Sequence, residues 1–229
     1  MSNNLVLTNK KDPQDVIKNF WESKVDYPSV WVLPQRRLRD FNWIISRLTA
    51  NTSSLSDIGC GEGSISFYIN QFLNLEKIYL IDQSSSYLKQ AKEKWENNNI
   101  QTNVATLQLD IINLDKNLPK TDVSLFLGVI PYVIQDDSLS LLFKKIKSKQ
   151  FIVRTPCTMN VEDELINKYS EELKSEYAAK YRTLANTIKL LSDSFIVHEV
   201  ERIYPDNLDS KFGTKQFIFN CFARNTGSV

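Results

Sequence analysis

The segment Asp57-Ile58-Gly59-Cys60-Gly61-Glu62-Gly63-Ser64-Ile65 constrains this chain more than any other. Its glycines recur at every second position. They stand between Ser54-Leu55-Ser56, which reads as the end of a strand, and Ile65-Ser66-Phe67-Tyr68-Ile69, which reads as the start of a helix. A strand-to-helix turn at the mouth of a parallel sheet needs glycine where φ is positive or where backbone must touch a ligand. The helix that follows presents free N–H groups to a polar or anionic ligand. The next unit, Lys77-Ile78-Tyr79-Leu80-Ile81-Asp82, is a short apolar strand ending in a carboxylate. An acid in that place beside a glycine-rich turn suits a ribose diol.

Which adenosine-type ligand is meant follows from the details of the turn. A dinucleotide fingerprint reads G-x-G-x-x-G, and here Ser64 holds the last glycine's place. The pattern is D-x-G-x-G-x-G, with Asp57 two residues before the first glycine. In this it resembles motif I of the class I S-adenosylmethionine-dependent methyltransferases. An acid there suits the ammonium group of that cofactor and would repel a pyrophosphate.

The order of the remaining elements agrees. Strands are expected at 54–58, 77–81, 103–109, 121–128 and 150–154, with helices at 64–74, 84–97 and 136–147 between them. Such alternation implies an α/β fold, a Rossmann-like doubly wound sheet with ligands at the carboxyl ends of its strands. Two closing strands, 195–203 and 215–223, complete seven, and the resemblance makes the last one antiparallel. The expected division is an N-terminal helical extension or lid at 1–50 and a methyltransferase domain at 51–229. Leu165, Tyr169, Leu173, Tyr177, Tyr181, Leu184, Ile188 and Leu191 recur at helical spacing, so one long helix is expected over 161–192. It would serve as an acceptor-pocket wall or a homodimer contact, with Tyr177, Tyr181 and Arg182 as the residues to watch.

Carried over residue by residue, the resemblance assigns the cofactor, S-adenosyl-L-methionine with S-adenosyl-L-homocysteine as product, to Asp57, Gly59, Gly61, Asp82, Gln83, Asp110, Ile111 and Gly128. Asp82 would hold the ribose and Gln83 the adenine edge. Asp110 would meet the adenine amino group while Ile111 packs on the ring, and the backbone at Leu127-Gly128 would face the methionine portion. Leu33-Pro34-Gln35-Arg36-Arg37-Leu38 resembles the segment before motif I in some quinone-pathway O-methyltransferases, which gives Arg36 the cofactor carboxylate in preference to Arg37. Tyr27 and Trp31 would help to close the lid.

For the transfer itself, Tyr132 after strand 121–128 and Arg154 at the end of strand 150–154 are the catalytic candidates. Tyr132 would position the acceptor, and the planar fork of Arg154 suits an anionic one. Tyr204 would line the same mouth. The single histidine, His198, falls inside a strand and reads as structural.

With 42% hydrophobic and 24% charged residues and a net charge of +1, the chain has an ordinary globular composition. No strong field favours nucleic acid or membrane. Cys60, Cys157 and Cys221 show neither a pairing pattern nor a metal-ligand spacing. No bound metal is expected, and a cytoplasmic setting is. A small-molecule methyl acceptor, methylated at oxygen or nitrogen, is therefore the expected substrate. An RNA methyltransferase, a non-catalytic cofactor-binding adaptor and a nicotinamide oxidoreductase are the competing readings.

Overall fold

The computed structural model describes residues 12–23, 35–98, 101–112, 117–170, 175–209 and 213–224. Tyr27, Trp31 and Leu173 lie outside them. Helices α1 (Pro13–Ser23) and α2 (Gln35–Ile45) precede the alternating part. That part runs β1 (Ser54–Ile58), α3 (Ser64–Leu73), β2 (Lys77–Asp82), α4 (Ser85–Glu96), β3 (Asn103–Gln108), β4 (Val123–Leu127), α5 (Asp136–Lys145) and β5 (Gln150–Thr158). It is followed by β6 (Glu164–Ser170), β7 (Ser175–Tyr181), α6 (Leu184–Ser192), β8 (Phe195–Arg202) and β9 (Thr214–Ala223).

Seven strands form one sheet in the order β3-β2-β1-β4-β5-β9-β8. β1 to β5 pair in parallel, and β9 runs antiparallel to both of its neighbours. The expected doubly wound sheet is thus present.

The period-2 alternation of buried strands divides the core into two layers. On β4, Val123, Leu125 and Leu127 join Trp43 and Ile44 of α2 and Ile65 and Ile69 of α3 on one face. Phe126 points the other way, with Leu139 and Phe143 of α5 and Phe195 and Phe219 of β8 and β9. Phe151 of β5 and Phe195 stack at 4.8 Å between ring centroids. Within the expected N-terminal extension, α2 gives Trp43 and Ile44 to the main core. No helix among the described residues is long and apolar enough to cross a membrane.

The long helix expected over 161–192 is not formed. β6 and β7 pair as an antiparallel hairpin with Glu164 opposite Tyr181 and Ser170 opposite Ser175, and among the described residues of that stretch only Leu184–Ser192 is helical. The side chain of Thr183 accepts from the Asn186 N–H at 3.1 Å and starts α6 there. The physical reason for the difference is arithmetic. A spacing of four keeps residues on one face of a helix, and it equally keeps them on one face of a strand, whose period is two. The dimer contact expected on that helix loses its element.

The hairpin packs against α1. Val16 and Ile17 bury against Ala178, and Phe20 meets Tyr177 edge-on at 5.8 Å. Arg182, at the end of β7, is 1% exposed. It donates to Asp136 Oδ1 at 2.7 and 2.9 Å and to the carbonyls of Ile130, Val133 and Ile134 at 3.2, 2.8 and 3.1 Å. It ties the hairpin to the turn after β4 and does not face the cleft described next.

Candidate active site

A cleft of about 480 Å³ opens at the carboxyl ends of β1, β2, β4 and β5. It includes the switch point between β1 and β4, where an open α/β sheet takes its ligands. Its floor is the glycine turn. The Gly59 N–H donates to the Ile81 carbonyl at 2.7 Å, tying the turn to β2. The Gly61 N–H donates to Asp82 Oδ2 and the Ser84 N–H to Asp82 Oδ1, both at 2.9 Å. Each carboxylate oxygen is therefore oriented by one backbone donor and keeps accepting capacity toward the cleft. Burial raises the Asp82 pKa, and the N–H groups of Ser84, Gly61 and Gln83 oppose that rise.

Of the residues expected to hold the cofactor, Gly59, Gly61, Asp82, Gln83, Ile111, Gly128 and Arg36 line the cleft. Asp57 does not. It lies behind the turn, 4% exposed, where Ser66 Oγ donates to Oδ2 at 2.5 Å. Burial pushes its carboxyl up to about 6, against the Ser66 bond and the charge of Arg37. Asp110 also stands outside the lining set. Its Oδ1 accepts the Ile112 N–H at 2.9 Å, which shapes the loop that presents Ile111 and Ile112.

The wall toward β5 holds a charged network. Arg154 Nε lies 3.1 Å from Asp40 Oδ2, and its Nη1 donates to Gln216 Oε1 at 2.9 Å. Tyr204 Oη donates to the Asp40 carboxylate, at 2.8 and 2.9 Å from its two oxygens. Asp40 is fully buried. Burial raises its pKa against the pull of Arg154. Burial works to lower that of Arg154, but the neighbouring Asp40 charge outweighs it and the net shift is upward. Gly128 makes room for this arginine. Its φ is +83°, and a Cβ placed there would stand 2.7 Å from Arg154 Nη2. Arg36 and Arg37 line the same wall, with the Arg36 guanidinium 6.0 Å from the centre of the Tyr204 ring.

The opposite wall is aromatic. Tyr132 follows β4 in a 3-10 turn, Ile130–Tyr132. It meets Trp21 of α1 edge-on at 5.0 Å and Tyr177 at 6.4 Å. Tyr177 and Tyr181, one face of β7, share a hydroxyl–hydroxyl hydrogen bond of 2.9 Å. Burial pushes both phenols well above their ordinary pKa. His198 takes no part, since it sits on β8 with its ring against Phe222 at 5.6 Å.

Sequence reasoning missed Asp40, Gln216, Ile17 and Trp21. For Asp40 a signal existed, because it precedes Ile44 by four residues and so shares the apolar stripe of α2.

A family model for a methyltransferase domain matches residues 49–209. No curated protein sequence matches the chain. Among solved structures, an S-adenosylmethionine-dependent methyltransferase from Leishmania major superposes with a TM-score of 0.68 at 15% identity, covering 92% of this chain and 83% of its own. The geranyl diphosphate C-methyltransferase of Streptomyces coelicolor, in complex with Mg2+, geranyl diphosphate and S-adenosyl-L-homocysteine, gives 0.66 at 10% identity and covers 93% and 98%. A third, an S-adenosylmethionine-dependent methyltransferase from Clostridium acetobutylicum, gives 0.59 at 17% identity and covers 91% and 96%. At these identities the likeness is one of fold.

Proposed function

Since this chain belongs to the methyltransferase domain family, we propose that its cleft serves methyl transfer from S-adenosyl-L-methionine to a small-molecule acceptor at oxygen or nitrogen. The observation that carries the proposal is the Asp82 carboxylate. It is fixed through both oxygens at the end of β2, beside the backbone of Gly59 and Gly61.

The residues present fit the cofactor. Asp82 offers two oriented acceptors for a ribose diol, and Ile111 and Ile112 give an apolar surface for adenine, with Gln83 at its edge. Arg36 and Arg37 stand where a carboxylate could be met bidentately. Asp57, one layer below, contributes negative charge behind the turn and no direct contact. When bound, the cofactor supplies a methyl group already activated on a sulfonium. The protein's task is then alignment, which contributes roughly 7–11 kcal/mol when the bound geometry is close to that of attack. Tyr132, locked between Trp21 and Tyr177, positions the acceptor.

Arg154 is assigned a positioning role. Its charge is balanced by Asp40, so its surroundings favour bracing α2 against β5 over capturing an anionic acceptor. The cleft volume lies within the range of small-molecule sites, roughly 300–1,000 Å³.

Calorimetric titration with S-adenosyl-L-homocysteine, with NADH as the control ligand, tests the reading. Micromolar binding of the homocysteine nucleoside, weakened about tenfold or more by Asp82→Ala, is expected from the loss of two hydrogen bonds to a charged acceptor. Failure of the folded wild-type protein to bind it would end the proposal.

A further inference from the structure

Given the proposed methyl transfer, the acceptor half of the cleft carries its own chemical preference. Its wall is built from α1, the turn after β4, and β7, which bring Trp21, Tyr132, Tyr177 and Tyr181 to one side. Edge-to-face contacts at 5.0 and 6.4 Å and the hydroxyl pair at 2.9 Å hold these rings in place. The wall is electrically neutral but rich in π-electron density, since burial keeps the Tyr177 and Tyr181 phenols protonated at any physiological pH. Arg154, which lines the same cleft, is matched by Asp40, and Arg36 and Arg37 are those assigned above to the cofactor carboxylate. The four rings attract positive charge through their quadrupoles and themselves offer an anion no charged partner.

We propose that the acceptor is an aliphatic amine, methylated at nitrogen while it sits against this aromatic wall. The charge balance of the step agrees with the wall. A neutral amine, its extra proton already lost to water, uses its lone pair to form the new N–C bond. The methyl carbon's bond to sulfur breaks with its electron pair staying on sulfur. Positive charge moves from sulfur to nitrogen and is never annihilated. The rings would face the charge once it is on nitrogen, and no carboxylate is required to accompany it. A remaining N–H proton then leaves to water.

The test uses three probes of one shape on the protein saturated with S-adenosyl-L-homocysteine. These are choline, its uncharged isostere 3,3-dimethylbutan-1-ol, and the anion 3,3-dimethylbutanoate, each titrated by calorimetry. Choline is expected to bind at least tenfold more tightly than either of the others. Trp21→Leu and Tyr177→Leu should each weaken choline about fivefold or more, whereas Tyr177→Phe, which keeps the ring, should stay within about twofold. Equal binding of choline and the alcohol, or tighter binding of the anion, would overturn the inference. So would a loss in Tyr177→Phe as large as in Tyr177→Leu. Affinity for S-adenosyl-L-homocysteine is measured on every variant. If wild type lacks it, the methyltransferase reading itself falls, and if wild type has it while the probes fail to discriminate, only the amine proposal falls. Should Tyr177→Leu not fold, Trp21→Leu and the probe comparison on wild type still decide.

Discussion

Replacing Gly128 with alanine tests whether the charged network on the β5 wall depends on one missing Cβ. Two costs are expected. The first is backbone strain, because a φ of +83° is left-handed and costs an L-residue about 1–2 kcal/mol. The second is displacement. The added methyl would stand 2.7 Å from Arg154 Nη2, where ordinary contact begins at 3.4 Å, so the guanidinium must retreat by about 0.7 Å. That movement works against the Nε–Asp40 ion pair at 3.1 Å and the Nη1–Gln216 hydrogen bond at 2.9 Å. At least one charge-assisted hydrogen bond is then lost, at about 1.5–3 kcal/mol.

Gly61→Ala supplies the control. Gly61 is also left-handed, at φ +54°, but a Cβ there meets nothing within 4 Å. It should therefore show the strain alone. Thermal unfolding of both variants without cofactor should separate them by about 1.5–3 kcal/mol, or roughly 3–12 °C for a chain of this size. If the two agree to within about 0.5 kcal/mol, the spread of ordinary substitutions, Gly128 does not govern the seat of Arg154 and the reasoning is wrong.

Two further outcomes follow from buried charges away from the cleft's surface. Folding holds the Asp57 carboxyl at about 6 against an ordinary value of 3.8, so between those pH values the folded state keeps a proton that the unfolded state has released. The sign is that stability falls as pH rises from about 4 to about 6 and then levels, by on the order of 3 kcal/mol. Urea unfolding across that window should show a slope that Asp57→Asn removes, and parallel profiles for the two proteins would contradict the burial argument. Arg182→Met should cost about 3–5 kcal/mol, because it leaves the carbonyls of Ile130, Val133 and Ile134 without the buried donor that now satisfies them, at about 1–3 kcal/mol each. A loss below about 1 kcal/mol by the same measurement would mean that the hairpin is held mainly by its contacts with α1.

The parts of this molecule that can be read from its sequence are those set by local rules. Buried strands alternating with helices fixed the sheet, and the glycine turn and Asp82 are near enough in the chain for their spacing to imply the contact. The aromatic wall obeys no such rule. Tyr132, Tyr177 and Trp21 come from separate elements, and their meeting depends on a hairpin that helical spacing disguised. Leu165, Tyr169, Tyr177 and Tyr181 lie at multiples of four, a period that a strand satisfies as well as a helix does. What breaks the tie is tertiary. Ala178 and Tyr177 point to opposite sides of β7 and are both buried, because α1 covers one side with Val16 and Ile17 and packs Phe20 against the other. Burial of consecutive residues is what a strand covered on both faces shows. Arg154 was legible as a residue at the end of its strand, yet its pairing was not, because its partner Asp40 arrives from a helix that precedes the whole sheet. A charge at the end of a strand takes its meaning from the element packed against it, and the sequence around the charge does not contain that element.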